Sequence, residues 1–228
     1  MFINPIEFLI NQLTISICHI CNDEADMLCQ ACKEKTFPEL ESRCYKCNKI
    51  TPSNRVCTSC RSSSKLRRVW WLSAYSGAVK ELVRETKYGR KRQYARIFGQ
   101  IFNETLPYLP EEIVVVPIPT ASARVRRRGF DQAEVIARSF AKQRGLVIKN
   151  ALKRTSQVDQ VGKRRSERIK QMKNSLSLVG GSNLTGKTVL LIDDVITTGA
   201  TIEAAAEVLR NNGVLHVDAV VISRHLLS

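Results

Sequence analysis

No stretch of this chain approaches the roughly 20 consecutive apolar residues that carry a helix across a bilayer, so no membrane-spanning helix is expected. The opening MFINPIEFLINQL lacks the basic n-region and small-residue cleavage site of a secretory signal. Phe2, Ile6, Leu9, Ile10 and Leu13 are instead expected to form one face of a short helix packed on the rest, with membrane-surface contact as the lesser alternative. The expected location is cytoplasmic, or peripheral at the inner face of the membrane. Cysteine is missing after Cys60, which confines thiol chemistry to the first part of the chain. Acids are also scarce: 21 Asp and Glu stand against 36 Lys and Arg, a net charge of +15 over 228 residues. Such an excess favours an anionic partner, polyphosphate or nucleic acid, although charge alone equally describes a solvated surface.

What is present begins with the eight cysteines, arranged as four C-x-x-C pairs: Cys18/Cys21, Cys29/Cys32, Cys44/Cys47 and Cys57/Cys60. Each knuckle brings two thiolates to one metal with little strain, and two knuckles complete a tetrahedral zinc site. Disulfides are the alternative, disfavoured in a chain without an export signal. Two structural zinc ions are expected, with the first knuckle paired to the second and the third to the fourth; an interleaved arrangement stays open. A module this small has little core, so metal would supply much of its folding energy.

The stretch VLLIDDVITTGAT, from Val189 to Thr201, carries the second signal. Four apolar residues form a run too short for a helix and read as a strand buried on both faces. Ile202, Ala205, Ala206 and Leu209 then recur at helical spacing. Between strand and helix, Thr197, Thr198, Gly199, Ala200 and Thr201 offer hydroxyls and free N–H groups at the positive end of a helix, which suits a phosphate monoester. Asp193 and Asp194 would lie beside it, accepting from sugar hydroxyls or positioning Mg²⁺. Asp194 or Thr198 acting only as a helix cap is the plainer alternative for either residue alone. Upstream, Gly181 to Thr188 (GSNLTGKT) matches a nucleotide-binding P-loop letter for letter. A P-loop must open a helix, whereas Lys187-Thr188 runs straight into a strand, so the segment reads as a loop.

The remainder alternates. The polar stretch Arg61 to Arg68 looks like a module boundary, and Val69 to Tyr75 reads as a strand with at least one of Trp70 and Trp71 in the core. Helices are expected over Ala78–Thr86 and Gln93–Leu106. Their joint, Lys87 to Tyr94, carries Lys87, Tyr88, Arg90, Lys91 and Arg92, which could hold a nucleic-acid backbone and stack on bases, Tyr94 included; a solvated loop explains them as well. Ile113–Val116 reads as a second buried strand. After it come Pro119, Thr120 and an arginine-rich turn with Arg124, Arg126, Arg127 and Arg128, and Asp131 opens a helix over Gln132–Arg144. In a parallel sheet ligands bind at the carboxyl ends of strands, so this turn and the Asp193 turn would share one edge, one side taking a pyrophosphate and the other a phosphate monoester. Gln157 to Lys173, with Lys163, Arg164, Arg165 and Arg168, reads as an active-site flap continuing into a helix, or as an exposed helix, and as a further basic cluster for DNA.

IDDVITTGAT resembles the phosphoribosyl-pyrophosphate motif of type I phosphoribosyltransferases. With the four knuckles, VVPIPTASARVRRRGFDQAEVIA and QVGKRRSERIKQMKNSL, nearly the whole chain resembles the ComF/ComFC competence family. The resemblance implies an α/β fold: a type I phosphoribosyltransferase-like, mostly parallel sheet flanked by helices, over 67–228, preceded by a small Cys-rich zinc-binding module over 1–66. It implies phosphoribosyl pyrophosphate with Mg²⁺ as ligand, with Asp193 and Asp194 at the ribose and Thr197 to Thr201 around the 5-phosphate. It further implies single-stranded DNA and other competence proteins as partners in natural transformation. Two departures stand out. Asp131 replaces the asparagine common in the family's G-F-N-Q-A, and Thr197 replaces an acid that purine-salvage relatives use on the incoming base. A competence protein binding both ligands, a metabolic phosphoribosyltransferase, and a non-catalytic zinc-finger adaptor are therefore the three readings to separate.

Overall fold

A computed structural model of the protein describes residues 17–89, 91–155 and 176–225. The opening helix face, Arg90, and the Gln157–Lys173 segment with Lys163, Arg164, Arg165 and Arg168 lie outside the described residues. The chain falls into two compact units, Met1–Pro38 and Glu39–Ser228. The smaller holds the first two knuckles and helix α1 (Gln30–Thr36), whose N-cap is Cys29. Among its described residues, Leu28 and Phe37 are the buried apolar side chains besides Cys18. The second cysteine group, similar in chemistry to the first, folds within the larger unit.

That unit is built on a five-stranded parallel sheet in the order β1-β7-β6-β2-β3, from β1 (Arg68–Ala74), β2 (Val114–Pro117), β3 (Val147–Ile148), β6 (Thr188–Ile196) and β7 (His216–Arg224). Val114–Val116, Val189–Ile192 and Val217–Ile222 lie in the interior of this sheet and are buried in unbroken runs, as strands covered on both faces must be. Among the described residues, the α-helices of this unit are α2 (Thr58–Arg61), α3 (Gly77–Tyr88), α4 (Arg92–Thr105), α5 (Ser122–Arg128), α6 (Gln132–Arg144) and α7 (Ala200–Asn211). A two-stranded antiparallel ribbon, β4 (Leu152–Arg154) with β5 (Leu176–Leu178), stands apart from the sheet.

Both tryptophans are buried, on opposite faces of β1 because adjacent strand residues alternate. Arg224 stacks over Trp71 at 5.0 Å. The GSNLTGKT segment passes through turns into β6 with no helix, so the P-loop context is absent. Two expectations need correction. The arginine-rich turn is a short helix, α5, closed by Gly129 at φ 87°. The Lys87–Tyr94 joint is also mostly helical, since α3 runs through Tyr88 and α4 starts at Arg92. Tyr94 is 4% exposed and is a core residue, unavailable to stack on a base, whereas Tyr88 is 65% exposed.

Candidate ligand crevice and metal centres

The crevice arises from unequal strand lengths. β2 pairs with β6 only as far as Pro117–Ile192, while β6 continues beside β7 to Ile196–Arg224. Beyond Ile192 the β2 side of β6 is open, and Asp193 and Asp194 sit on that open portion, inside the strand and not after it. A cavity of about 370 Å³ forms there. Its cationic lining is Lys87, Arg124, Arg127, Arg128 and Arg154, facing the two aspartates, with Pro119, Thr120 and Thr201 completing the wall. This is the carboxyl edge at which parallel sheets hold ligands.

The groups are already ordered. Lys87 Nζ pairs with Asp194 Oδ2 at 2.6 Å, so a side chain read from sequence as a DNA contact lies in the crevice. Arg128 is buried and spans two helices, donating from Nε to the Lys87 carbonyl at 3.0 Å and from Nη1 to Gln132 Oε1 at 3.1 Å. Arg127 lies over the Tyr88 ring at 5.8 Å. Arg126 is exposed and does not line the cavity; its place on α5 turns it away from Arg124 and Arg127. Asp131 caps α6, accepting from Ala133 N at 3.0 Å, and also accepts from Thr120 N at 2.7 Å and Thr120 Oγ1 at 3.1 Å. The departure from asparagine thus fixes the Pro119–Thr120 wall. Arg154 is the residue the sequence reading missed. It donates from Nε to the Pro119 carbonyl at 2.8 Å, and its sole sequence signal is a basic pair ahead of the polar Gln157–Lys173 segment.

Asp193 is held well above the carboxylate range, at about 8. Desolvation is the main cause and the adjacent Asp194 charge the next; Lys87 and Arg154 oppose them. A cation or sugar hydroxyl arriving there would favour the ionised form.

The turn after β6 is arranged differently from the sequence expectation. Thr197 and Thr198 are exposed on its rim, and Thr198 Oγ1 accepts from Ala200 N at 3.3 Å, a local cap. Gly199 has φ 78°, a conformation that favours glycine. A Cβ there would lie 3.0 Å from Tyr45 Cε2, so the space left by the missing side chain is filled by a tyrosine from the third knuckle. The Tyr45 hydroxyl donates to Glu203 Oε1 in the first turn of α7. Glu203 Oε2 accepts from Lys65 N at 2.9 Å, and Lys46 Nζ lies 3.6 Å from Oε1. A carboxylate at a helix start competes with a bound anion for the positive end; these three partners hold Glu203 against the knuckles. Burial, then Glu203, pushes the Tyr45 phenol up and keeps it a donor.

The thiols form two groups, Cys18/Cys21/Cys29/Cys32 and Cys44/Cys47/Cys57/Cys60, each with its sulfurs within 4.8 Å of one another. The grouping is sequential. Closest separations such as Cys21–Cys29 at 3.8 Å and Cys47–Cys57 at 3.5 Å match the edge of a tetrahedron with metal–sulfur bonds of about 2.3 Å. Desolvation would raise Cys18 and Cys44, yet backbone donors outweigh it. N–H groups of Cys21, Cys29 and Ile20 bring Cys18 to about 6, and those of Cys57, Cys47 and Lys46 bring Cys44 to about 7. Cys32 and Cys60 are pushed the other way, by burial first and then by the neighbouring cysteines, and Cys21 is raised as well. Each group thus presents one thiolate near neutral pH, and a metal ion would have to displace the remaining protons. The four-sulfur geometry fits a metal ion at both places.

Residues 86–226 match the phosphoribosyl transferase domain family, and the chain belongs to that family. Within it, the chain is similar to the competence protein ComFC of Bacillus subtilis, at 26% identity over 82% of this chain and 80% of that one. ComFC of Streptococcus pneumoniae is 28% identical over 88% and 89%, and the DNA utilization protein YhgH of Escherichia coli 23% over 87% and 91%. The ComF/ComFC resemblance read from the motifs is borne out by these relatives. No helix among the described residues is long and apolar enough to cross a membrane.

Proposed function

We propose that the crevice binds phosphoribosyl pyrophosphate with Mg²⁺, and that the chain also binds single-stranded DNA, acting with other competence proteins in DNA uptake as a cytoplasmic protein. Zinc held by the two four-thiol groups is structural in this reading. The observation that carries it is the crevice itself: five cationic side chains converge on Asp193 and Asp194 at the open end of β6. Arg124, Arg127 and Arg154 would neutralise the pyrophosphate, and the first turn of α7 with Thr201 the 5-phosphate. Asp193 and Asp194 would take the ribose hydroxyls or position Mg²⁺, Asp194 giving up Lys87 as the ligand enters. Thr197 stands where base-activating relatives carry an acid, which favours ligand binding over that chemistry.

Calorimetry with phosphoribosyl pyrophosphate, with and without Mg²⁺, tests the reading. The Asp193→Asn/Asp194→Asn variant is expected to keep its fold and lose at least tenfold in Mg²⁺-dependent affinity. Equal binding by variant and wild type would leave the acids structural. The pH dependence has a definite sign. A carboxyl whose pKa is raised by folding subtracts stability as pH climbs from its unfolded value near 4 toward 8. Asp193→Asn should therefore flatten the decline in melting temperature between pH 5 and pH 8.

A further inference from the structure

The amino ends of β1 and β7 lie side by side, with Arg68 level with Asp218 and Thr188 of β6 level with His216. A second concavity of about 680 Å³ opens at this edge, bounded by Arg55, Arg61, the Ser64–Arg67 approach to β1, the end of α7 and the start of β7. We propose that this groove is a second anion site, which binds the phosphodiester backbone of nucleic acid independently of the carboxyl-edge crevice. The inference rests on the DNA-binding half of the function above and gives it a place.

Charge carries the argument first. The groove presents Arg55, Arg61, Lys65, Arg67, Arg210 and His216, and no acid among the described residues lines it. Asp218 lies behind and is committed to Arg67, accepting from Nε at 2.9 Å and from Nη2 at 2.6 Å. Arg210 is fixed by donating from Nη1 to the carbonyls of Val214 and Leu215. Arg67 is thus rigid but neutralised by Asp218, and Arg210 is the fixed positive charge of the floor. Arg55, Arg61 and Lys65 are exposed, and their side-chain heads have no partner among the described residues. The imidazole of His216 is held below its usual range by desolvation first and then by Arg67, with Asp218 opposing and Arg210 and Arg68 adding to the lowering.

Shape and lining narrow the partner. The concavity is open, so it suits an extended polyanion and not an enclosed small molecule. Arginines predominate, and their planar donors suit phosphate. No Phe, Tyr or Trp among the described residues lines it, so the contact would be mainly to the backbone, with little base stacking and little sequence preference. From Thr188 to Asp194 the strand rises roughly 20 Å at about 3.3 Å per residue, so the two anion sites share no side chain. The basic clusters of the crevice are then free to serve phosphoribosyl pyrophosphate while nucleic acid occupies the other edge.

The test is fluorescence anisotropy on the full, zinc-loaded chain with a labelled thymidine oligonucleotide and a duplex of equal length, across a salt series. Arg55→Glu/Arg61→Glu/Lys65→Glu should weaken binding at least tenfold and lower the salt slope by about 2, three contacts at roughly 0.7 each for single strands. Its metal content and its calorimetry with phosphoribosyl pyrophosphate should match wild type, and saturating phosphoribosyl pyrophosphate should leave wild-type DNA affinity unchanged. Arg55→Gln/Lys65→Gln, which leaves the neighbour of Cys60 intact, should show a smaller loss of the same kind if the triple variant misfolds. The duplex arm separates single-strand from double-strand preference within the same backbone chemistry. Wild-type affinity and slope in the charge variants, or displacement of DNA by phosphoribosyl pyrophosphate, would overturn the groove while leaving DNA binding itself standing. No binding of either nucleic acid by wild type, with capture of a labelled poly-glutamate peptide instead, would overturn both the groove's assignment and the DNA reading, and would leave the calorimetry of the crevice untouched.

Discussion

The two cysteine groups have the same spacing logic and opposite settings. Cys18, Cys21, Cys29 and Cys32 sit in a compact unit of their own, where α1 buries none of its residues. Cys44 and Cys57 belong instead to the continuous core of the sheet unit, together with Tyr45, Val56, Leu191 and Ala205. Arg224, in the last strand, donates to Asn48 Oδ1 at 3.0 Å, binding the third knuckle to the end of β7. One group sits in a small unit with few buried side chains, and the other is built into the sheet core, with Tyr45 against the Gly199 turn. Identical motifs therefore predict metal binding equally well and predict consequence not at all.

The comparison can be broken hardest at Cys57. Replacing it with serine should release one metal and expose the core around Tyr45 and Leu191. A fall in melting temperature of about 10 °C or more and complete loss of phosphoribosyl pyrophosphate binding are expected, read by calorimetry and elemental analysis. A variant that keeps ligand affinity would show that the second metal is as detached as the first. Tyr45→Phe is gentler. It keeps the ring over Gly199 but leaves Glu203 with only Lys65 N and Lys46 Nζ, costing about 1–3 kcal/mol in stability as a hydrogen bond to a charged group. Affinity for the phosphorylated ligand should drop a few-fold at most as the loosened carboxylate competes for the helix start. The smallest effect is expected at Cys21: serine there should also release one metal, yet leave the main melting transition and ligand affinity unchanged. A matching shift of the main transition would erase the distinction.

Much of this was legible. Continuous apolar runs marked β2 and β6, because strands covered on both faces favour apolar residues throughout, and Asp131 marked the start of α6. The paired acids and small-residue turn located the crevice. The missed parts depend on tertiary proximity. Nothing local announces that Tyr45 fills the space at Gly199, that Arg154 braces Pro119, or that Lys87 reaches Asp194. Four arginines with only Val125 between them hid a helix, since α5 has no apolar face to give it a period. The amino-edge groove was invisible for the same reason: Arg55, Arg61, Lys65 and Arg210 come from separate segments, and only parallel pairing of β1 and β7 aligns them.

The ring of Tyr45 against Gly199 has a thermodynamic corollary. Two sites joined by a shared contact stabilise one another by equal amounts, whichever is filled first. An anion seated at the start of α7 holds the glycine turn, the turn holds the tyrosine, and the tyrosine is the residue next to Cys44. If the crevice takes a sugar phosphate as proposed, its occupancy would tighten metal binding at the second thiol group. Conversely, a chelator or oxidant that strips that group would weaken phosphate binding by the same factor, from outside the crevice.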